Sequence, residues 1–215
     1  MSTNPVDEAV DAVRRGELIV FPTDTVYALA CRPDDPDATA RVFDAKRRPE
    51  ALTLPVLSPS VGAARALADW DDRTERLAVA CWPGALTIVV TRSAVSAPWE
   101  LGGEQGTIGL RVPKHPLALA VLERTGPLAA TSANRSGSPP ARTCEELHET
   151  FDDLVGIYLC DEAPLDGVAS TVIDLSQARP RLVRSGTVEV ERLRDLLGPG
   201  TSLLDSPFPK VTRTR

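Results

Sequence analysis

The chain has 215 residues, 42% hydrophobic and 25% charged, the make-up of one soluble globular domain large enough to bury its own core. Its formal net charge of −6 excludes a bulk electrostatic grip on nucleic acid and leaves any anion site to a local basic pocket on an acidic body. With His115 and His148 as its histidines and no C-x-x-C spacing, histidine-based metal or triad chemistry and a zinc or redox pair are not expected, and Cys31, Cys81, Cys144 and Cys160 read as buried or half-buried thiols.

In chain order, Val6, Ala9, Val10 and Val13 fall at helical spacing, and Gly16 stops that helix. Residues 17–21 read as a short buried strand ending at Pro22. Thr23, Asp24 and Thr25 then put two hydroxyls and a carboxylate just past the strand end. Asp37 to Lys46 is a second amphipathic helix, closing in the basic run Lys46-Arg47-Arg48. Residues 52–57 look like a strand, with Pro55 suggesting an edge. Residues 60–68 and 72–80 carry helical patterns, Trp82-Pro83-Gly84 a turn, and 86–91 a β-branched strand. A glycine-containing loop fills 92–106, followed by a strand over 107–112 and a helix over 116–124. The apolar run 127–130 reads as a buried strand that opens into a polar stretch, Thr131 to Gly137. Thr143 caps a helix ending at Phe151. Strands over 156–160, 170–175 and 180–184 and a helix over 190–197 complete the pattern. Residues 198–215, rich in Gly, Pro and Ser, read as a mostly disordered tail. The expectation is a single α/β domain over 1–197, a twisted mixed sheet flanked by helices. The acidic N-terminus lacks a signal-peptide pattern, and no apolar run approaches the roughly 18 residues that span a membrane. The chain is therefore expected to be cytoplasmic, with no membrane contact.

Three features carry chemistry. Thr131 to Gly137 combines short hydroxyls, an amide and a guanidinium beyond a strand end, where open α/β sheets bind ligands, although a plain turn has the same composition. Lys46-Arg47-Arg48 either complements a helix dipole or binds phosphate. Arg111, in an otherwise apolar strand, needs an acceptor: an internal carboxylate, or the carboxylate of a substrate. Further cations recur at Arg41, Lys114, Arg135, Arg142, Arg181 and Arg184. Neither a P-loop nor a G-x-G-x-x-G is present, so a nucleotide would have to be held by such isolated cations and hydroxyl-rich loops.

Pro22-Thr-Asp-Thr-Val-Tyr27, Lys46-Arg-Arg-Pro49, Trp82-Pro-Gly-Ala-Leu-Thr87, Leu110-Arg-Val-Pro113, Ser132-Ala-Asn-Arg-Ser-Gly137, Ser170-Thr-Val-Ile-Asp174 and Arg184-Ser-Gly186 together resemble, in order and spacing, the YrdC/Sua5 family over residues of about 5 to 197. The resemblance implies the short, single-domain form, with its α/β sheet around a concave basic cavity. It implies synthesis of L-threonylcarbamoyladenylate and pyrophosphate from L-threonine, bicarbonate or CO2, and ATP accompanied by Mg2+. It implies transfer of the threonylcarbamoyl group to an adenosine of tRNAs that read ANN codons by a downstream transferase complex, with tRNA contact weak or indirect. Lys46 and Arg48 would be catalytic and hold the ATP phosphates. Ser132, Asn134, Pro140 and Arg184 would line the nucleotide, and Thr23, Arg111 and Ser170 the threonine. Three positions depart from the pattern: Ala28 stands for a glycine expected at a turn, Leu57 for a histidine, and Ser185 for a proline. A paralogue of the same fold that binds RNA or uses another carbamoyl substrate is the alternative.

Overall fold

The computed structural model describes residues 4–103, 105–198 and 203–205. Its elements are α1 (Pro5–Arg14), β1 (Ile19–Phe21), β2 (Ala28–Cys31), α2 (Pro36–Lys46), β3 (Val56–Leu57), α3 (Val61–Arg65), α4 (Asp72–Cys81), β4 (Leu86–Thr91), β5 (Thr107–Arg111), α5 (Pro116–Thr125), β6 (Leu128–Ser132), α6 (Cys144–Phe151), β7 (Ile157–Tyr158), β8 (Thr171–Asp174), β9 (Arg181–Arg184), α7 (Val190–Leu197) and β10 (Leu204–Asp205). The helices begin where the side chains allow. Asn4, Asp35, Ser60, Asp71 and Thr143 each accept a first-turn N–H, and prolines open α1, α2 and α5, where a missing N–H costs nothing.

The strands form one mixed sheet in the order β10-β9-β8-β4-β5-β3-β6-β2-β1-β7. Period-two alternation sends side chains to two different cores. Val20, Leu29, Val56, Ile88, Leu110, Ala129 and Ile173 face the larger core, packed with residues of α2, α4, α6 and α7. Ile19, Phe21, Ala28, Ala30, Leu57, Leu128 and Ala130 face the smaller one, which α1 and α5 close with Val6, Ala9, Val10, Val13, Ala118, Val121 and Leu122. Phe21 is fully buried there, so its truncation to Ala would cost about 3–5 kcal/mol. Beyond β3, side chains on this second face belong to neither core: Val89 of β4, Val172 of β8 and Val183 of β9 are half-exposed. The smaller core therefore covers only part of that face.

Three sequence expectations are corrected. Pro55 does not mark an edge, because β3 lies between β5 and β6. The two-residue ladder starts after Pro55, so its missing N–H falls outside, and its carbonyl still accepts from Ala130 N–H at 2.8 Å. Ala28 is not in a turn. It opens β2, paired with Phe21 and Ser132, in extended backbone that needs no glycine. Cys144 and Cys160 are not free thiols but a disulfide, with Cα atoms 5.6 Å apart. Cys144 opens α6 and Cys160 lies two residues past β7, and spacing along the chain does not reveal that the two meet. Cys31 and Cys81 remain free and buried. The bridge closes a separation of 16 residues, for which loop-closure entropy gives about 3 kcal/mol. Denaturation with and without a dithiol reductant should show a loss of that size. An equal midpoint in both conditions would assign the bridge no stabilising role.

The expected disordered tail lies mostly outside the described residues, but Leu204 and Asp205 within it pair parallel with Arg181 and Leu182 of β9. Among the described residues no helix is long and apolar enough to cross a membrane.

Candidate functional site

The stretch after β6 meets the end of α2, and the reason is local. The last carbonyls of a helix have no partner within it. Here Ser136 N–H donates to the Lys46 carbonyl at 2.8 Å, and the Arg135 guanidinium donates to the Ala45 carbonyl. The polar loop thus caps α2 and places a cation at the negative end of its dipole. Lys46, on the last turn, then points into the loop. Its Nζ donates to the carbonyl oxygen of Ser132, to that of Asn134 at 2.6 Å and to Asn134 Oδ1 at 3.0 Å. Ser132 Oγ donates to the same Oδ1 at 2.6 Å, and Asn134 Nδ2 to the Ser138 carbonyl. Lys46 is 1% exposed. Burial, and secondarily the neighbouring Arg48 guanidinium, push its ammonium down to about 7. The three oxygens oppose that shift, because only the charged form can donate to all of them.

Arg47 ends α2 in the left-handed region, at φ 51°, a position that favours glycine. The turn carries the chain on to Arg48, whose guanidinium reaches only the carbonyls of Leu52 at 3.4 Å and Thr53 at 3.2 Å. Its partial desolvation lowers its pKa.

Arg111 closes β5 and is 5% exposed. Its Nη2 donates to Asp24 Oδ1 at 2.6 Å, its Nη1 to Thr25 Oγ1 at 2.8 Å and its Nε to the Gly84 carbonyl at 2.9 Å. Asp24 also accepts the Lys114 N–H. Burial, the larger effect, lowers the Arg111 pKa, and Asp24 opposes it. The internal carboxylate is thus real, and two of the five guanidinium N–H groups remain beyond these three bonds. Thr23 is more constrained. Its hydroxyl donates to the Val26 carbonyl at 2.6 Å and accepts the N–H groups of Thr25 and Val26. That hydroxyl holds the turn that presents Asp24 and Thr25 to Arg111.

Arg184 reaches the same region through an irregularity. Val172 pairs with Arg184 and Ile173 with Leu182, so a bulge places Val183 and Arg184 opposite one residue. In a regular ladder Arg184 would share the core-facing side of Leu182; the extra residue turns it outward. Its Nε donates to the Ser170 carbonyl at 2.9 Å and its Nη2 to Ser170 Oγ at 3.0 Å. Arg184 lies open to solvent at the surface, yet desolvation by its surroundings, then the like charges of Arg111 and Arg48, lower its pKa. Lys46, Arg48, Arg184 and Arg111 are therefore linked by mutual repulsion, with Asp24 the carboxylate paired into the group. An anion placed among these four cations would relieve both their repulsion and their desolvation.

Gly186 keeps this arm in place. A Cβ there would overlap the Ala169 carbonyl oxygen and the Ser170 carbonyl carbon. Gly186→Ala is expected to push the 184–186 segment off Ser170. The chain should stay folded by circular dichroism while its affinity for a nucleotide triphosphate falls about tenfold, about the worth of one lost charge-assisted hydrogen bond. Unchanged affinity by calorimetry would disconnect Arg184 from nucleotide.

Pro140 lines a neighbouring cleft of about 330 Å³ with Asn134, Arg135, Arg142 and Glu146. The other cations serve elsewhere: Arg41 donates to the Gly16 carbonyl, Arg142 to the Leu165 carbonyl, and Arg181 pairs with Asp174. Leu57 is buried in the smaller core and offers no polar group in the place of the missing histidine. Thr87, whose role the sequence reading missed, hydrogen-bonds Ser170 Oγ at 2.9 Å.

Fold and site together define an α/β protein whose mixed sheet brings lysine and arginine from distant segments near one another. A family model, Sua5_yciO_yrdC, described as telomere recombination, matches residues 11–186, and the chain belongs to that family. It is 41% identical to a Mycobacterium tuberculosis protein over 192 residues, 88% of each chain. It is 35% identical over 192 residues, 88% of this chain and 56% of the relative, to the threonylcarbamoyl-AMP synthase of Pyrococcus abyssi. The structure of P. abyssi Sua5 complexed with L-threonine superposes with a TM-score of 0.88 at 32% identity, over 100% of this chain and 64% of that one. Escherichia coli YciO superposes at 0.82 and 28% identity, over 90% and 95%.

Proposed function

We infer that the chain is an L-threonylcarbamoyladenylate synthase, making threonylcarbamoyl-AMP, pyrophosphate and water from L-threonine, bicarbonate and ATP for the threonylcarbamoyl modification of tRNA. The observation that carries the reading is Lys46 held by the Ser132–Asn134 loop, with Arg48, Arg184 and Arg111 near enough for their like charges to act on one another. Relatives with this activity and a threonine-bound neighbour support it.

The chemistry asks for placement more than for covalent help. The neutral amine of threonine attacks the carboxyl carbon of bicarbonate, or CO2 derived from it. A carbon–nitrogen bond forms, water is lost and a carbamate results. A carbamate oxygen then attacks the α-phosphorus as the bond to the bridging β-phosphate oxygen breaks, and pyrophosphate leaves with that electron pair. Arg48, and Lys46 once it exchanges one of its three loop oxygens for a phosphate oxygen, hold the phosphates and stabilise the charge on the departing pyrophosphate. Arg184, Ser132, Asn134 and the backbone near Pro140 line the nucleotide. The two spare N–H groups of Arg111 take the threonine carboxylate, with Thr23 shaping that wall and Ser170 at the carbamoyl end. This division fits a site without a histidine or cysteine nucleophile, since positioning and charge stabilisation supply the rate. Mg2+ would enter with ATP, on its phosphate oxygens and water, because Asp24 is committed to Arg111 and Lys114 N–H. The product would pass to a transferase complex in the cytoplasm, with any tRNA contact indirect, as the acidic net charge favours.

Mass spectrometry of the products formed from ATP, bicarbonate and a panel of amino acids tests the reading. The expected product is threonylcarbamoyl-AMP, with pyrophosphate release dependent on both threonine and bicarbonate. ATP hydrolysis that proceeds equally without threonine, or salt-dependent tRNA binding with no adenylate, would overturn it.

A further inference from the structure

We propose that Thr87 is a positioning residue that orients the Ser170 hydroxyl, at the point where the amino-acid and nucleotide halves of the site meet. The inference rests on the functional reading above and adds to it a residue that the reading does not use.

The geometry is a row of side chains across four neighbouring strands. Thr87 of β4 is in register with Val172 of β8, and Val172 with Arg184 of β9. On the other side, β4 pairs Ile88 with Leu110 of β5, and one further step sets Thr87 opposite Arg111. Arg111, Thr87, Val172 and Arg184 thus lie side by side on the sheet face that the smaller core leaves uncovered. Three strand spacings separate the two arginine backbones, roughly 14 Å. Their guanidiniums serve the threonine carboxylate and the nucleotide. The carbamate that joins the substrates must form between them.

Ser170 sits at that midpoint. Its Oγ accepts Arg184 Nη2 at 3.0 Å and pairs with Thr87 Oγ1 at 2.9 Å. A guanidinium only donates, so one Ser170 lone pair is already taken. With Thr87 as the donor of the second bond, both lone pairs are filled. The Ser170 proton is then left for an oxygen of the substrates, on the carbamate or on the α-phosphoryl group. Thr87 itself is 6% exposed, and its methyl lies by Gly109, where a Cβ would come within 3.4 Å of it. It is therefore held beneath Ser170 and acts through it.

The experiment is a double-mutant cycle on the full chain with L-threonine, bicarbonate and ATP, following threonylcarbamoyl-AMP. Thr87→Val keeps the shape and removes the hydroxyl. It should lower kcat about tenfold while the KM values for threonine and ATP stay within about twofold. Thr87→Ser, which restores a donor, should return to within about twofold of wild type. In a Ser170→Ala background, Thr87→Val should change kcat by less than about twofold, because the group it orients is gone. Should Thr87→Val fail to fold, Thr87→Cys serves in its place, with a weak donor of similar volume and an intermediate loss. An unaffected Thr87→Val, a Thr87→Ser as impaired as Thr87→Val, or effects that multiply in the double variant would each overturn the proposal. A wild-type chain that makes no adenylate overturns the functional reading and this inference with it, whereas active wild type with an indifferent Thr87→Val overturns the inference alone.

Discussion

Replacing Lys46 by Met is expected to lower kcat/KM on the order of a thousandfold and to cost stability as well. The first effect follows from the proposed function, in which the buried cation stabilises phosphate charge, worth about a hundredfold to a thousandfold per donor in a desolvated site. The second follows from what Lys46 holds. Its ammonium serves the Ser132 carbonyl, the Asn134 carbonyl and Asn134 Oδ1. Each acceptor stripped of its donor costs about 1–3 kcal/mol, while relief from burying a charge returns part of it. A net loss of about 2 kcal/mol corresponds to a Tm lower by roughly 4–8 °C in a chain of this size.

The same variant carries a pH test with a defined sign. The folded Lys46 ammonium is lowered to about 7, against 10.5 for an unperturbed lysine. Above about pH 7 the unfolded chain holds a proton here that the folded chain releases. Wild-type stability therefore gains a rising component as pH increases through that window, and below it the burial penalty stays constant. The buried Cys31 thiol, raised to about 12, adds an opposite component only above its ordinary value of 9.0. Between pH 7 and 9 the wild-type stability, less that of Lys46→Met, should rise. A flat difference would mean that the three acceptors keep Lys46 charged throughout. ATP favours the charged form, so binding at pH 8 should take up protons, read as a buffer-dependent heat in calorimetry.

Arg48→Ala is the cleaner probe of chemistry. Arg48 bonds only two loop carbonyls, at the long end of hydrogen-bond range, and buries no unpaired group when truncated. Its loss should shift Tm by no more than about 2 °C. The loss in kcat/KM should nonetheless reach about a hundredfold, because in the proposed function the fork with two donors serves the departing pyrophosphate. Arg48→Lys keeps the charge without the fork and should fall between. Steady-state pyrophosphate release beside a thermal melt checks this. An unchanged rate would remove Arg48 from the phosphate side.

Some of this was legible along the chain. Val6, Ala9, Val10 and Val13 define one face of α1, and Thr143 caps α6, because helix periodicity and capping are local properties. The motif residues Lys46, Arg48, Ser132, Asn134, Ser170 and Arg184 could be named through the resemblance of their ordered motifs to the YrdC/Sua5 family, since residue type alone left a helix cap or a plain turn as open as an anion site. Pro55 misled, because a proline disfavours a ladder only if its own N–H is needed there. The tail residues Leu204 and Asp205 carried no strand signal, since two residues gain their hydrogen bonds from β9 and not from their own propensity.

By itself, then, the amino-acid order determined the helices, most of the strands and the inventory of cations, all of them set by neighbours a few residues away. The tertiary structure decided which cations meet. It alone joined Lys46 to a loop some 86 residues further on, gave Arg111 its partner Asp24, turned Arg184 outward through a bulge and bonded Cys144 to Cys160. Those outcomes depend on strand register and loop capping across the whole sheet, and no local pattern encodes the register between strands that are distant in sequence.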